Sequence, residues 1–123
     1  MSGDSIVLDT SLIINLFKGN SEITELITNR NLFVSVITEI EVLSFPNITP
    51  PEKALLKQFL SECYVVDIEP AIKDITIEIR AKFKTKLPDA VIAATALYFD
   101  LPLFTMDKGF EKIQDLQAVI LSI

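Results

Sequence analysis

The sequence predicts an α/β protein, a three-layer α/β/α sandwich around a mostly parallel five-stranded sheet. Three observations predict it. Short apolar runs of strand length alternate with helical patterns from one end of the chain to the other. The apolar runs are continuous rather than alternating, as expected of strands covered on both faces. The chain has 123 residues, 50% of them hydrophobic, enough for one domain, residues 1–123, to bury a core without covalent staples.

Each element has its own signal. Ser5-Ile6-Val7-Leu8 is a short apolar run and reads as a buried strand. Residues 11–18 carry Leu12, Ile13, Leu16 and Phe17 at helical spacing, and Gly19 stands where a C′ glycine belongs. Ser21-Glu22-Ile23 opens a second helix, to Thr28. Residues 32–36 are β-branched and strand-like, and residues 38–45 form a helix stopped by Pro46. The proline cluster at 46–51 is a loop, followed by an amphipathic helix over 52–62 through Leu55, Leu56, Phe59 and Leu60. Residues 64–68 form a third strand. The helix over 71–84 sets Ile72, Ile75, Ile79 and Phe83 on one stripe. The helix over 89–99 is apolar nearly all round. A fourth strand at 102–104, a short helix at 108–113 and a fifth strand at 119–121 complete the chain.

Composition excludes several kinds of chemistry. There is no histidine, so no histidine-based triad, Cys-His pair or histidine metal ligand exists. The single cysteine, Cys63, allows no internal disulfide and no cysteine zinc site, and reads as a small buried hydrophobe. The three glycines, Gly3, Gly19 and Gly109, stand too far apart to write a phosphate-cradling glycine motif. The net charge of −6 makes the chain a poor passive binder of nucleic acid, so positive charge would have to be supplied locally. No basic leader precedes an apolar run at the N-terminus, and the longest uncharged apolar stretch, residues 90–99, is too short to span a bilayer. A cytoplasmic protein is expected.

In a parallel α/β sheet, ligands bind beyond the carboxyl ends of the strands, near the topological switch point. Four acids fall at such places. Asp9 follows the first strand, Glu41 lies one turn into the helix after the second, Asp89 opens the apolar helix, and Asp107 follows the fourth strand. Taken singly, each is also explained as a cap: Asp9 and Asp107 as N-caps, Thr38 and Glu41 as a capping box, Asp89 as a first-turn anion on the helix dipole. Two details favour a site. Asp89 is the only charge between Lys86 and Asp100 and shares a face with Ile92, Ala93 and Ala96. At about 100° per residue, Glu39 points roughly 160° away from Glu41, which leaves Glu41 facing inward and Glu39 in solvent. Converging carboxylates without histidine or cysteine suit a hard divalent cation, Mg²⁺ or Mn²⁺.

Four segments together, Ile6-Val7-Leu8-Asp9-Thr10-Ser11, Ser35-Val36-Ile37-Thr38-x-x-Glu41, Pro88-Asp89-Ala90-Val91-Ile92-Ala93-Ala94-Thr95-Ala96 and Leu103-Phe104-Thr105-x-Asp107-x-x-Phe110, resemble the motifs of PIN-domain ribonucleases, most of all the VapC-type toxins of toxin–antitoxin systems. The resemblance covers nearly the whole chain. It implies a PIN-like fold and Mg²⁺- or Mn²⁺-dependent cleavage of RNA leaving a 5′-phosphate. It also implies a small antitoxin as partner, and homodimerisation. Asp9, Glu41, Asp89 and Asp107 match the family's acidic positions, and Thr10 and Thr105 the hydroxyl positions beside them. Gly109 stands where many members carry a further acid or asparagine, so the resemblance implies one ligand fewer at this site.

Arg80, Lys82, Lys84 and Lys86 crowd into seven positions before Asp89. They read either as cations at a helix C-terminus or as a phosphate-gripping rim for RNA. Two rival classes remain. One is a catalytically inert PIN-fold module that binds RNA or protein. The other is a phospho-acceptor signalling domain, which needs paired acids after the first strand and a lysine after the last; here Asp9 stands with Thr10 and Ser11, and no such lysine follows.

Overall fold

The computed structural model describes residues 4–122. The expectation of a start without a leader rests partly on residues 1–3, which lie outside that range. Five strands form one sheet: β1 (Ser5–Leu8), β2 (Asn31–Ser35), β3 (Tyr64–Val66), β4 (Leu103–Thr105) and β5 (Ala118–Ile120), in the order β3-β2-β1-β4-β5. Every pairing is parallel, so the sheet is wholly rather than mostly parallel. Six α-helices connect the strands: α1 (Thr10–Phe17), α2 (Ser21–Ile27), α3 (Val36–Leu43), α4 (Pro50–Ser61), α5 (Pro70–Lys82) and α6 (Leu87–Phe99).

The chain steps from β1 out to β3 on one side, then returns to β4 on the other side of β1. Right-handed crossovers in the two directions put helices on opposite faces of the sheet. Two apolar clusters record this. Ile6 and Leu8 of β1 pack with Leu12, Ile13, Ile23, Val42 and Leu56. Val7, between them, points to the other face and packs with Ile72, Ile79, Ile92, Ala93 and Phe110. The two-residue period of a strand thus splits one apolar run between two cores. The alanines of α6 let it lie close against the sheet, and residues 90–96 are all buried. The switch point falls between β1 and β4, and their carboxyl ends carry Asp9 and Thr105.

Helix ends depart from expectation where local capping chemistry decides them. α3 starts at Val36, not Thr38, because the Ser35 side chain accepts from the Ile37 N–H at 3.0 Å. Thr38 is therefore inside the helix, and Thr38 and Glu41 form no capping box. The true capping box is Thr49 with Glu52, which starts α4 at Pro50. α1 starts one residue early, capped by Asp9, and α6 begins at Leu87 with Pro88 in its first turn. α5 ends at Lys82, and residues 108–112 form a 3-10 turn capped by Asp107. Gly19 takes φ 92° after α1, as its C′ reading requires, and Asp100 closes α6 in the left-handed region at φ 55°. Among the described residues no helix is long and apolar enough to cross a membrane.

Candidate active site

Asp9 extends from the end of β1 and is 4% exposed. A buried carboxylate needs donors, and three are present. The Thr10 N–H reaches Oδ1 at 2.7 Å, while the Ser11 hydroxyl at 2.8 Å and the Thr105 hydroxyl at 2.6 Å both donate to Oδ2. Thr105 is fully buried at the end of β4, and its oxygen also accepts the Asp107 N–H at 3.0 Å. One hydroxyl thus ties the two central strand ends together and sets the start of the Asp107 loop. Asp107 is exposed and accepts the Gly109 N–H at 2.8 Å.

Glu41 is half-buried on α3 and turns toward α1, where the Thr10 hydroxyl donates to its Oε1 at 2.6 Å. Buried Thr38 stands beside the pair, its hydroxyl oxygen 3.1 Å from that of Thr10. Thr10 therefore links the Asp9 loop to the Glu41 helix, as Thr105 links Asp9 to Asp107. Glu39 lies elsewhere, in a shallow hollow with Leu43, Lys57 and Cys63. It is partly covered there rather than free in solvent, because α4 and β3 wall that side of α3. Cys63 is half-buried, and burial pushes its thiol up to about 11.

Asp89 joins these acids because α6 begins at the same sheet edge. Its carboxyl is held above the ordinary range, first by burial and then by the negative charges of Asp9, Asp107 and Glu41; Lys86 opposes the shift. Asp89 and Asp107 line one hollow, and the Thr10 and Thr105 hydroxyls tie Glu41 and the Asp107 loop to the Asp9 loop, so the four acids lie around one edge of the sheet. Among the described residues no three of them close on a single point as a cage would. The donor set is nonetheless all oxygen, four carboxylates with hydroxyls between them. Such an open set fits a hydrated hard cation, since Mg²⁺ retains several waters and needs only one or two direct carboxylates.

Beside the acids is a hollow of about 490 Å³ whose wall includes Arg80, Lys84 and Lys86 together with Asp89 and Asp107. Lys82 is set apart, lining a separate hollow with Glu78 and Asp115. At helical spacing Lys82 is two residues from Arg80 and faces another way, so a count of charges along the chain overstated the cluster. Lys112 also lines the acid-bearing hollow. Its distance in sequence from the other cations hid it; the only available signal was its place in the turn that follows Asp107. Ser11, the third donor to Asp9, was likewise in plain view, but only as part of the Asp-Thr-Ser run. Gly109 leaves Asp107 clear: a Cβ there would stand 3.1 Å from Asp107 Oδ1.

The family model described as PIN domain matches residues 6–116. No curated protein matches the chain. Among solved structures, a toxin–antitoxin complex from Klebsiella pneumoniae is 29% identical, covering 93% of this chain and 95% of that one with a TM-score of 0.81. VapBC2 from Rickettsia felis, bound to a DNA fragment from its promoter, is 19% identical over 96% of this chain and 99% of that one, with a TM-score of 0.85. DNA-bound VapBC from Salmonella typhimurium is 24% identical over 94% and 97%, with a TM-score of 0.80.

Proposed function

The chain belongs to the PIN domain family, and from that premise we propose that it is a metal-dependent endoribonuclease, the toxin half of a toxin–antitoxin pair. The observation that carries the reading is the grouping of Asp9, Glu41, Asp89 and Asp107 at the switch point of the sheet, through the Thr10 and Thr105 hydroxyls and the hollow that Asp89 and Asp107 share. A bound Mg²⁺ or Mn²⁺ supplies charge neutralisation at the phosphodiester and a more acidic water. The remaining work falls to the chain's own side chains. Asp9, fixed by three donors, is a rigid acceptor at the centre of the site. Thr10 and Thr105 hold Glu41 and Asp9 at their orientations, so the acids need no reordering when substrate arrives. Asp89 is half-buried beside the other three acids, and a cation held there would relieve that repulsion. Arg80, Lys84 and Lys86 offer the positive charge that an acidic chain otherwise lacks for holding an RNA backbone.

The toxin reading is supported by the likeness, over nearly the whole length of both chains, to a toxin–antitoxin complex 29% identical in sequence. A small antitoxin is the partner that follows, with a homodimer as the assembly and the cytoplasm, where RNA is the target, as the place of action. The test is cleavage of RNA by the purified chain and by Asp9→Asn, Glu41→Gln, Asp89→Asn and Asp107→Asn. Each substitution is expected to remove most of the activity while leaving a folded protein. Folded variants that cleave like the wild type would refute the assignment, and a wild type that binds RNA without cutting it would favour the inert binding module.

A further inference from the structure

The first turn of α6 carries no side-chain cap: Lys86 stands at the N-cap without a capping bond, and Pro88 lacks an N–H. Next to it, the Thr85 hydroxyl oxygen is buried with no hydrogen-bond partner, the one such side-chain atom among the described residues. A buried hydroxyl left unpaired is costly and calls for an explanation. Thr85 lines the same hollow as Arg80, Lys84, Lys86 and Lys112. The hollow's volume of about 490 Å³ is far above the ~10–15 Å³ that one water needs, so it has room for more than a single ion.

We propose that this hollow is a subsite for a backbone phosphate next to the scissile one, with Lys112 and the Thr85 hydroxyl as RNA-binding residues. The inference rests on the nuclease reading and deepens it. Asp89 and Asp107 share the lining and repel an anion that no cation accompanies. The neighbouring phosphate is therefore assigned to the cations of the lining that lie outside the acid-bearing segments, Lys112 on the turn after β4 and Arg80 on α5. Arg80 is anchored there, its Nε donating to the Thr85 carbonyl at 3.2 Å. A χ1 rotation of Thr85 turns its hydroxyl from the wall to the phosphate, which gives the orphaned donor its acceptor.

The experiment is fluorescence anisotropy with a labelled single-stranded oligoribonucleotide, with Mg²⁺ present, in a Glu41→Gln background that prevents cleavage. Gln retains the oxygen that accepts from Thr10, so this background keeps the fold. Lys112→Gln should weaken binding roughly five- to tenfold at low salt and lower the slope of log affinity against log salt by about 0.7, the value for one phosphate contact on a single strand. Lys82→Gln, which lines another hollow, should leave both unchanged. Equal effects from the two lysines would overturn the subsite in favour of diffuse attraction. Thr85→Val should melt at or above the parent protein, because an unpaired buried hydroxyl is removed, and yet bind RNA several-fold more weakly; Thr85→Ser should restore binding. Unchanged binding by Thr85→Val would overturn the role of the hydroxyl. These readouts need no turnover, so a wild type that fails to cleave RNA would refute the nuclease reading and leave the subsite to be judged on binding.

Discussion

Thr105→Val isolates the hydroxyl that joins the two central strands. Valine keeps the shape of threonine at a position with no exposure to solvent, so packing is conserved and only hydrogen bonding changes. Two bonds are lost. The first is the 2.6 Å donation to the buried Asp9 carboxylate; a hydrogen bond to a charged group contributes about 1.5–3 kcal/mol. The second is the acceptor for the Asp107 N–H at 3.0 Å. Because Asp107 is exposed, water can replace part of that bond, which keeps its cost near the low end of about 1–3 kcal/mol. The sum is a destabilisation of about 2.5–4 kcal/mol, or a fall in melting temperature on the order of 10 °C for a domain of this size. Thr105→Ser keeps the hydroxyl and loses one methyl group, at a cost of about 1 kcal/mol. The assay is thermal and urea unfolding of the three proteins in EDTA. If Val melts within a degree or two of the wild type, or Ser falls below Val, then Thr105 does not hold Asp9 and the site is not organised as described.

Three other outcomes are expected. Burial and the charges of Asp9, Asp107 and Glu41 hold the Asp89 carboxyl above its ordinary range, so the native state binds that proton more readily than the unfolded chain does. The penalty is absent below the unfolded value and complete once pH has risen through the folded one. Asp89→Asn in EDTA should therefore melt above wild type at neutral pH, with the gap closing near pH 3, below the ordinary Asp value of about 3.9; a variant that melts lower at neutral pH would make Asp89 a structural cap. Glu41→Gln should abolish RNA cleavage and Glu39→Gln should leave it nearly intact, because only Glu41 reaches Thr10; equal losses in folded proteins would contradict the helix phase. Sedimentation at micromolar concentration should give the mass of a dimer, and a monomer mass would remove the homodimer from the proposal.

The fold was legible because both signals that define it are local. Continuous apolar runs such as Ile6-Val7-Leu8 mark doubly covered strands, and Leu12, Ile13 and Leu16 mark a helix face without reference to the rest of the chain. Helix starts were less legible, since two residues can compete to cap. Ser35 captures the Ile37 N–H and so moves the start of α3 ahead of Thr38. Strand ends pointed to where Asp9 and Asp107 would lie, and helix phase separated Glu41 from Glu39. Asp89 depended on where α6 begins relative to the sheet, which is a property of the β3-to-β4 crossover and not of any short segment. The links Thr10 to Glu41 and Thr105 to Asp9 span 31 and 96 residues, and no local pattern announces them. Lys112 and the unpaired Thr85 hydroxyl are visible only once the turn after β4 is folded against α5 and α6.

The central claim is that the four acids serve metal-dependent cleavage of RNA, and titration of divalent cation into a cleavage reaction tests it most directly. Purified protein freed of metal by EDTA should leave RNA intact, and addition of Mg²⁺ or Mn²⁺ in excess of the chelator should restore cleavage in the wild type but not in Asp9→Asn. Cleavage that persists undiminished in excess EDTA, in a preparation whose Asp9→Asn counterpart is inactive, would place the chemistry at this site and contradict its dependence on metal.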